Sequence, residues 1–274
     1  MDSEVSKITR ILIVAGSDSS GGAGIQADLK TVTALGGYGM TAITAITAQN
    51  TCGVYDIHAV PVAAIISQMK VTLSDMGADV IKTGMLASRD VIEAVAETLA
   101  EQPGPAPCIV DPVMVATSGD ALLAENAVGA LKGLLIDGAE LVTPNAPEAE
   151  LLTGKAVEDV NGQRRAAEAL LEAGAKSVLV KGGHVEGAVI TDVLQTQYEE
   201  HIFEAPRINT AQTHGTGCTL TSAIATLYGQ GQALPEAVYA AREYLFAAIK
   251  AAPGFGSGAG PVHHGWAILR ERNT

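Results

Sequence analysis

A cysteine at residue 218 follows a glycine-rich turn and precedes a long apolar segment. Gly215, Thr216 and Gly217 come directly before Cys218. The first backbone N–H groups of a helix have no partner inside it, so such a start can bind the negative charge of a transferring phosphoryl group. The helix dipole would favour the Cys218 thiolate over the thiol. The alternative is that Cys218 is a small buried apolar side chain.

A second candidate is a loop rich in glycine and serine near the N-terminus. The sequence AGSDSSGGAGIQADLKT at 15–31 follows an apolar run and leads into a predicted helix. Such a loop lets a small ligand approach the backbone closely. Gly22, Gly24 and Ala27 also match a degenerate dinucleotide-binding pattern, but no acidic residue follows about 20 positions on, so that match is weak. A plain connecting loop is the alternative.

Acidic and amide residues follow two predicted strands. Asp111 comes after CIV, and Asn145 to Glu148 come after LVT. Two carboxylates at neighbouring strand ends can organise Mg²⁺, which keeps several of its waters. Asn145 and Glu148 are also spaced as a helix N-cap and its N3 partner. The metal and capping interpretations are compatible.

Lys181 ends a predicted strand in VLVKGGH, where it can reach a nucleotide phosphate or be an ordinary solvated lysine. The adjacent His263 and His264 cannot both face one metal from a regular helix, and we interpret them as part of a glycine-rich loop.

The sequence contains no GxxxxGK[ST], HExxH or GxSxG motif. These absences disfavour a P-loop nucleoside triphosphatase, a zinc protease and an α/β-hydrolase.

The elements that would position these residues alternate between strand and helix. Strands are predicted at 11–15, 42–47, 80–85, 108–114, 141–143 and 177–183, and helices at 22–35, 89–101 and 217–228 and from Val62 and Pro235. This alternation predicts βαβ units around a mainly parallel sheet, and the pattern at 192–208 adds an antiparallel hairpin. Ligands of such sheets lie beyond the carboxyl ends of the strands, where the candidate residues occur.

Composition limits the classes of function. The chain has 274 residues, 47% of them hydrophobic, and a net charge of −13, and no linker interrupts it, so we predict one α/β domain over 1–274. The negative charge disfavours nucleic acid and anionic membranes as partners. Cys52, Cys108 and Cys218 lie far apart, which is typical of a reducing compartment. No apolar run reaches the roughly 18 residues of a membrane span, so the protein is predicted to be cytoplasmic.

Eight motifs in order carry a resemblance to a known family. They are AGSDSSGGAGIQADLKT at 15–31, TAITAQNT at 44–51, KTGML at 82–86, VDPVM at 110–114, TPNAPEAELLTG at 143–154, VKGGH at 180–184, HGTGCTL at 214–220 and GPVHH at 260–264. Over roughly residues 10–266 the chain resembles the hydroxymethylpyrimidine/phosphomethylpyrimidine kinases of thiamine synthesis, in the ribokinase-like superfamily. The resemblance implies a three-layer α/β/α fold, a homodimer, and two successive phosphorylations from ATP with Mg²⁺.

The resemblance also implies a pyrimidine pocket. Asp28 and Gln49 would hydrogen-bond the aminopyrimidine, and Gly16, Met85 and Val113 would complete the pocket.

A phosphate site is implied in the same way. Asp111 and Glu148 would organise Mg²⁺ and the phosphates, Lys181 and Thr213 would face the nucleotide, and the amides of 215–218 would form the anion hole. Most ribokinase-like sugar kinases have an aspartate base where this chain has Cys218. Since phosphoryl transfer passes through a loose transition state, positioning supplies most of the rate, and the cysteine can either accept the hydroxyl proton or only orient the oxygen.

Three other functions compete with this prediction. A pyridoxal or pyridoxine kinase would keep the same fold and mechanism, but the amide of Gln49 favours an aminopyrimidine because it can pair with a ring nitrogen and an exocyclic amine together. A non-catalytic pyrimidine-binding protein is disfavoured by the intact set of charged residues. A dinucleotide-dependent dehydrogenase is disfavoured by the missing ribose-binding acid.

Overall fold

Nine strands form one sheet in the computed structural model of the chain, which describes residues 8–104, 106–116, 118–266 and 268. The strands are β1 (Arg10–Asp18), β2 (Tyr38–Asn50), β3 (Gly53–Ala59), β4 (Val80–Thr83), β5 (Cys108–Val110), β6 (Leu141–Val142), β7 (Ser177–Val180), β8 (Val189–Thr196) and β9 (Glu200–Pro206). Their order in the sheet is β3-β2-β1-β4-β5-β6-β7-β8-β9.

The sheet is parallel in its centre and antiparallel at both edges. Strands β2, β1, β4, β5, β6 and β7 pair in parallel. Strand β3 pairs antiparallel with β2, and β8 pairs antiparallel with β7 and β9. The predicted parallel sheet and the predicted hairpin at 192–208 are confirmed. Strand β3 was not predicted, because most of its residues are exposed and it lacks a buried apolar face.

Helices cover both faces of the sheet. They are α1 (Gly24–Ala34), α2 (Val62–Asp75), α3 (Arg89–Ala100), α4 (Val128–Leu131), α5 (Ala146–Thr153), α6 (Val160–Glu172), α7 (Thr216–Gly229) and α8 (Leu234–Lys250). A 3₁₀ turn at 125–127 precedes α4 and a π-helical turn at 132–136 follows it. Within the described ranges, none of the helices combines the length and the apolar character that a membrane crossing needs.

Strand β1 shows why the molecule has three layers. Leu12 and Val14 pack into a core with residues of α2, α3, α5 and α6. Ile11 and Ile13, which alternate with them, pack into a second core with α1, α7 and α8. Successive side chains of a strand point to opposite faces, and a parallel strand covered on both faces is apolar throughout. The expected α/β/α architecture is confirmed.

Candidate active site

A cavity of about 730 Å³ opens at the carboxyl ends of the parallel strands. Twelve of the thirteen predicted site residues line it: Gly16, Gln49, Met85, Asp111, Val113, Glu148, Lys181, Thr213, Gly215, Thr216, Gly217 and Cys218. They come from segments that are far apart in the sequence, and the parallel topology brings them to one edge of the sheet. The pyrimidine-side and phosphate-side residues therefore share one chamber.

Asp28 is the exception, and the expectation that it contacts the pyrimidine is corrected. Its side chain lies on α1, is fully buried and does not line the cavity. Its carboxylate accepts hydrogen bonds from Lys82 Nζ at 3.0 and 3.1 Å and from Ser222 Oγ at 2.6 Å. Because the carboxylate has no exposed surface and is surrounded by these donors, it does not contact a ligand in the cavity in this arrangement. Asp28 instead supports the site from beneath.

Asp111 lies between two lysines at the end of β5. Its Oδ1 accepts hydrogen bonds from Lys181 Nζ at 3.1 Å and from Thr143 Oγ1 at 3.3 Å. Its Oδ2 is 3.9 Å from Lys82 Nζ and is buried with no hydrogen-bond partner among the described residues. Lys181 is buried, so it is not an ordinary solvated lysine. Asp111 thus keeps one oxygen for a ligand while the other fixes Lys181.

Glu148 forms the predicted capping box at the start of α5. The Asn145 N–H donates to Glu148 Oε2 at 2.8 Å, and the Glu148 N–H donates to Asn145 Oδ1 at 2.9 Å. Burial, opposed in part by the Lys181 charge, raises the pKa of Glu148 to about 7. The cap is confirmed, and it aims the carboxyl group at the cavity that Asp111 also lines.

The two carboxyl groups fit the chemistry of a magnesium ion. Mg²⁺ prefers oxygen ligands, keeps several waters and usually takes one or two carboxylates together with phosphate oxygens. Asp111 offers a buried oxygen that lacks a hydrogen-bond donor in the described structure. Clusters of three or more His, Cys, Asp or Glu side chains suited to a metal are absent from the described ranges. A bound cation would therefore need phosphate and water oxygens besides Asp111 and Glu148.

The glycine-rich turn before α7 has the form that an anion hole requires. Gly215 precedes the helix with a φ of 75°, a conformation that favours glycine. A side chain at Gly217 would lie 3.3 Å from Lys181 Nζ and 3.9 Å from Asp111 Oδ2. The Thr216 N–H donates to the Thr213 carbonyl at 3.4 Å, so the amides of Gly217 and Cys218 are the ones left for a ligand beside the Lys181 ammonium.

Cys218 stands in this first turn as a thiol rather than a thiolate. Burial raises the pKa of Cys218 to about 12, although the Lys82 charge and the Gly24 amide act in the opposite direction. The expectation that the helix dipole lowers this pKa is corrected, because desolvation of the charged sulfur is the larger effect. The half-buried thiol nevertheless lines the cavity.

The family model described as phosphomethylpyrimidine kinase matches residues 18–263 of the chain. The chain belongs to this family. A hydroxymethylpyrimidine/phosphomethylpyrimidine kinase of Streptomyces coelicolor is 49% identical over 258 residues, which cover 94% of this chain and 95% of that protein. The predicted family and the assignment to the kinases are confirmed.

Solved structures confirm the ribokinase-like fold. The pyridoxal kinase from Staphylococcus aureus in complex with ADP superimposes with a TM-score of 0.88 at 33% identity, covering 96% of this chain and 95% of that chain. The phosphomethylpyrimidine kinase from Clostridium difficile 630 gives a TM-score of 0.78 at 40% identity, covering 89% and 100%. These similar proteins are kinases, so a dehydrogenase and a non-catalytic binding protein receive no support.

Sequence analysis missed three side chains that hold the kinase site in place. Lys82 lies within β4 and is fully buried between Asp28 and Asp111. Burial acts to lower the pKa of Lys82, but the neighbouring carboxylates outweigh it and raise the pKa. Asp18 and His214 form a buried pair with Nε2 to Oδ2 at 2.8 Å. All three residues occur within the recognised motifs, which was the only available signal.

His264 also supports the anion hole, which the loop interpretation of the histidine pair did not anticipate. Its Nε2 is 3.0 Å from Thr219 Oγ1, and that hydroxyl donates to the Gly215 carbonyl at 2.7 Å. Burial lowers the pKa of His264 to about 4, so the ring is neutral near pH 7. Because the Thr219 hydroxyl uses its own proton on Gly215, the neutral imidazole donates from Nε2 to that hydroxyl oxygen.

Proposed function

We propose that the protein transfers the γ-phosphoryl group of ATP, with Mg²⁺, to the hydroxymethyl group of 4-amino-5-hydroxymethyl-2-methylpyrimidine and then to the resulting monophosphate. Both reactions belong to thiamine biosynthesis. The observation that carries the proposal is the single cavity lined by Gln49 on one side and by Asp111, Lys181 and Cys218 on the other. Membership of the phosphomethylpyrimidine kinase family supports the same substrate.

Gln49 is the proposed recognition group for the aminopyrimidine. The single proton of the Thr47 hydroxyl has two acceptors in reach, Gln49 Oε1 at 3.1 Å and the Ser17 carbonyl at 3.0 Å, and when it is donated to Oε1 it orients the amide. A carboxamide has a donor and an acceptor side by side, so it complements a ring nitrogen next to an exocyclic amine. Gly16 and Met85 both line the cavity and are adjacent, since a Cβ at Gly16 would approach the Met85 sulfur to 3.0 Å, and together they are proposed to pack against the ring.

Lys181 and the anion hole are proposed to stabilise the charge of the transferring group. Phosphoryl transfer has a loose transition state whose charge is spread over the equatorial oxygens, so preorganised donors supply most of the rate. The ammonium of Lys181 is held by Asp111 and lies 3.3 Å from the position of a Cβ on Gly217, so it borders the first turn of α7, whose Gly217 and Cys218 amides are proposed to complete the anion hole. Mg²⁺, when bound by Asp111 and Glu148, would neutralise phosphate charge. Thr213, at the cavity wall, is proposed to contact the nucleotide.

The thiol of Cys218 is proposed to orient the acceptor hydroxyl rather than to deprotonate it. With a pKa of about 12, almost all of the sulfur is protonated at neutral pH. The sulfur can accept a weak hydrogen bond from the substrate O–H and so direct an oxygen lone pair at phosphorus. The hydroxyl proton then passes to an oxygen of the transferred phosphoryl group as the new P–O bond forms and the bond to the ADP oxygen breaks.

We further propose a single-domain enzyme that acts as a homodimer in the cytoplasm. The edge of the sheet formed by β3 and its neighbour β2 supports association, because apolar side chains are exposed there. Ile46, Tyr55 and Ile57 are 50%, 71% and 38% exposed. The widely spaced cysteines support a reducing compartment. Light scattering coupled to size-exclusion chromatography tests the assembly, and a mass of one chain at micromolar concentration would contradict it.

A pyridoxal kinase is the second candidate, favoured by the TM-score of 0.88 to the Staphylococcus aureus enzyme. ADP release with Mg²⁺-ATP separates the two when hydroxymethylpyrimidine, its monophosphate and pyridoxal are compared at equal concentrations. The proposal predicts turnover of both pyrimidines and little turnover of pyridoxal. A preference for pyridoxal would move the enzyme to vitamin B6 metabolism, and no turnover of any acceptor would contradict a kinase of either vitamin.

A further inference from the structure

We propose that the Asp18–His214 pair is a positioning device that fixes the anion hole relative to the acceptor pocket. This inference rests on the proposed kinase function. His214 is the residue before Gly215, and Asp18 ends β1 two residues after Gly16. The pair therefore joins the loop that borders the proposed pyrimidine pocket to the turn that leads into the amides of Gly217 and Cys218.

Asp18 organises the first of these loops. Its Oδ2 accepts hydrogen bonds from the N–H groups of Gly22 and Ala23 at 3.0 and 2.8 Å, and its Oδ1 accepts one from the Ser20 N–H at 2.8 Å. Burial acts to raise the pKa of Asp18, but the bonds from His214, Ser20 and Ala23 outweigh it and hold the pKa below its usual value. A carboxylate with this many donors is ionised, and its hydrogen bonds tie residues 20, 22 and 23 of the loop to the end of β1.

His214 connects that loop to two others. Its ring Nε2–H donates to Asp18 Oδ2 across 2.8 Å, because the ionised carboxylate can only accept, and its backbone N–H donates to the Gly260 carbonyl at 3.0 Å. The ring packs directly on Gly22, where a Cβ would overlap the imidazole. His214 is only 3% exposed, so the three segments meet around one buried side chain.

The backbones of the two loops are in close contact at Gly215 and Gly22. A Cβ at Gly215 would overlap the Gly22 carbonyl, and Gly215 already has a left-handed φ of 75°. The direction of the first amides of α7 depends on that backbone turn. Loss of the Asp18–His214 contact would let the turn move away from Gly22 and shift the anion hole. A displacement of about 1 Å of catalytic groups can lower the rate by about 100-fold.

Three variants separate positioning from a role in folding. His214→Leu removes the ring donor, His214→Gln keeps an N–H group that can reach Asp18, and Asp18→Asn keeps the shape but removes the charge. His201→Leu is the matched control, because His201 lies on β9, next to Glu199, and lines no part of the cavity. Each variant is assayed for kcat and KM, for affinity for Mg²⁺-ADP, and for affinity for Mg²⁺-ADP with aluminium fluoride, which mimics the transferring phosphoryl group.

The inference predicts that His214→Leu lowers kcat about 100-fold, leaves the Mg²⁺-ADP affinity within threefold and weakens the aluminium fluoride complex in proportion to kcat. His214→Gln should recover about tenfold of the loss, and His201→Leu should match the wild type. An unchanged ratio of the two affinities in all three variants, whether both stay constant or both fall equally, would overturn the inference. Should His214→Leu fail to fold, His214→Gln and Asp18→Asn decide the matter by the same ratio. If the wild type turns over none of the three acceptors, the proposed function fails, while the affinity ratios still decide the role of the pair.

Discussion

Two buried ion pairs of the same chemistry lie at the centre of the molecule, yet they do different work. The inner pair is Asp28 with Lys82, and the outer pair is Asp111 with Lys181. Their Nζ to Oδ1 distances are 3.0 and 3.1 Å. Both side chains of the inner pair are 0% exposed, whereas the Lys181 side chain is 11% exposed and lines the cavity.

The difference comes from where each lysine leaves the sheet. Lys82 lies inside β4, opposite Ile109 of β5, so its ammonium stays below the cavity floor. Lys181 comes one residue after the end of β7, so its ammonium reaches the open edge. Position along the strand, rather than residue type, decides whether a buried charge supports the site or acts in it. Four predictions test this comparison.

The largest effect is expected from Lys82→Met, which leaves the Asp28 carboxylate buried without its ammonium. Breaking a buried pair in this way costs about 3–5 kcal/mol in the free energy of unfolding. Chemical denaturation measures the loss, and the double variant Asp28→Asn with Lys82→Met should recover more than half of it. The exposed pair of Lys176 and Glu140 provides a control, since Lys176→Met should cost no more than about 1 kcal/mol. A loss as small as the control's would contradict a structural role for the inner pair.

Cys218 lies within the electrostatic reach of both lysines, and its reactivity measures whether burial or their charge prevails. Raising the pKa of the thiol from 9.0 to about 12 reduces the thiolate fraction at pH 8 by about 1000-fold. Iodoacetamide should therefore modify the exposed Cys52 long before Cys218, and the rate at Cys218 should rise about tenfold per pH unit between pH 7 and 10. Peptide mass spectrometry gives both rates. Fast modification of Cys218 at pH 7 would show that the lysines outweigh desolvation.

Lys181→Met should mainly affect catalysis. Removal of one donor to the transferring group typically lowers kcat by about 100- to 1000-fold. The loss of stability should be smaller than for Lys82→Met, because Asp111 keeps its bond from Thr143 and borders the solvent-accessible cavity. Steady-state kinetics and denaturation of the same preparation compare the two effects. Equal kinetic losses for folded Lys82→Met and Lys181→Met would remove the distinction between the pairs.

The smallest effect is expected at the thiol between the pairs. Cys218→Ala should lower kcat about 100-fold because the acceptor hydroxyl loses its orienting partner, with little change in pyrimidine affinity. Cys218→Ser retains a hydrogen-bonding atom and should stay within about tenfold of the wild type. Kinetics with the hydroxymethylpyrimidine and its monophosphate check both variants. A serine variant as slow as the alanine variant would favour proton transfer to the sulfur instead.

The sequence predicted the elements whose pattern depends on burial. Strand β1 is apolar on both faces, and the strand ends identify Asp111 and Lys181 because functional residues of parallel sheets occur there. Strand β3 was not predicted, because its residues are largely exposed and do not show the alternation of a half-buried strand. Lys82 was missed although it lies in the KTGML motif, because nothing in the strand indicates its two carboxylate partners, which are 54 and 29 positions away in the chain.

Asp28 and Cys218 show the second limit of sequence reasoning. Their presence in the motifs was evident, but whether a side chain of α1 faces the cavity or the sheet depends on tertiary packing. The pKa of Cys218 depends in the same way on desolvation by neighbours that are distant in sequence. Motifs identified the site, whereas the division between ligand contact and support required the structure.

The most direct test of the account is ³¹P NMR of Mg²⁺-ATP with hydroxymethylpyrimidine, run in parallel on the wild type and Lys181→Met. For the wild type we expect loss of the ATP signals and growth of a phosphomonoester signal, followed by the two signals of a pyrimidine diphosphate, with one ADP formed for each transfer. The same signals should grow at least about 100 times more slowly with Lys181→Met. Wild-type spectra that show only inorganic phosphate and ADP, or no change, would contradict the account.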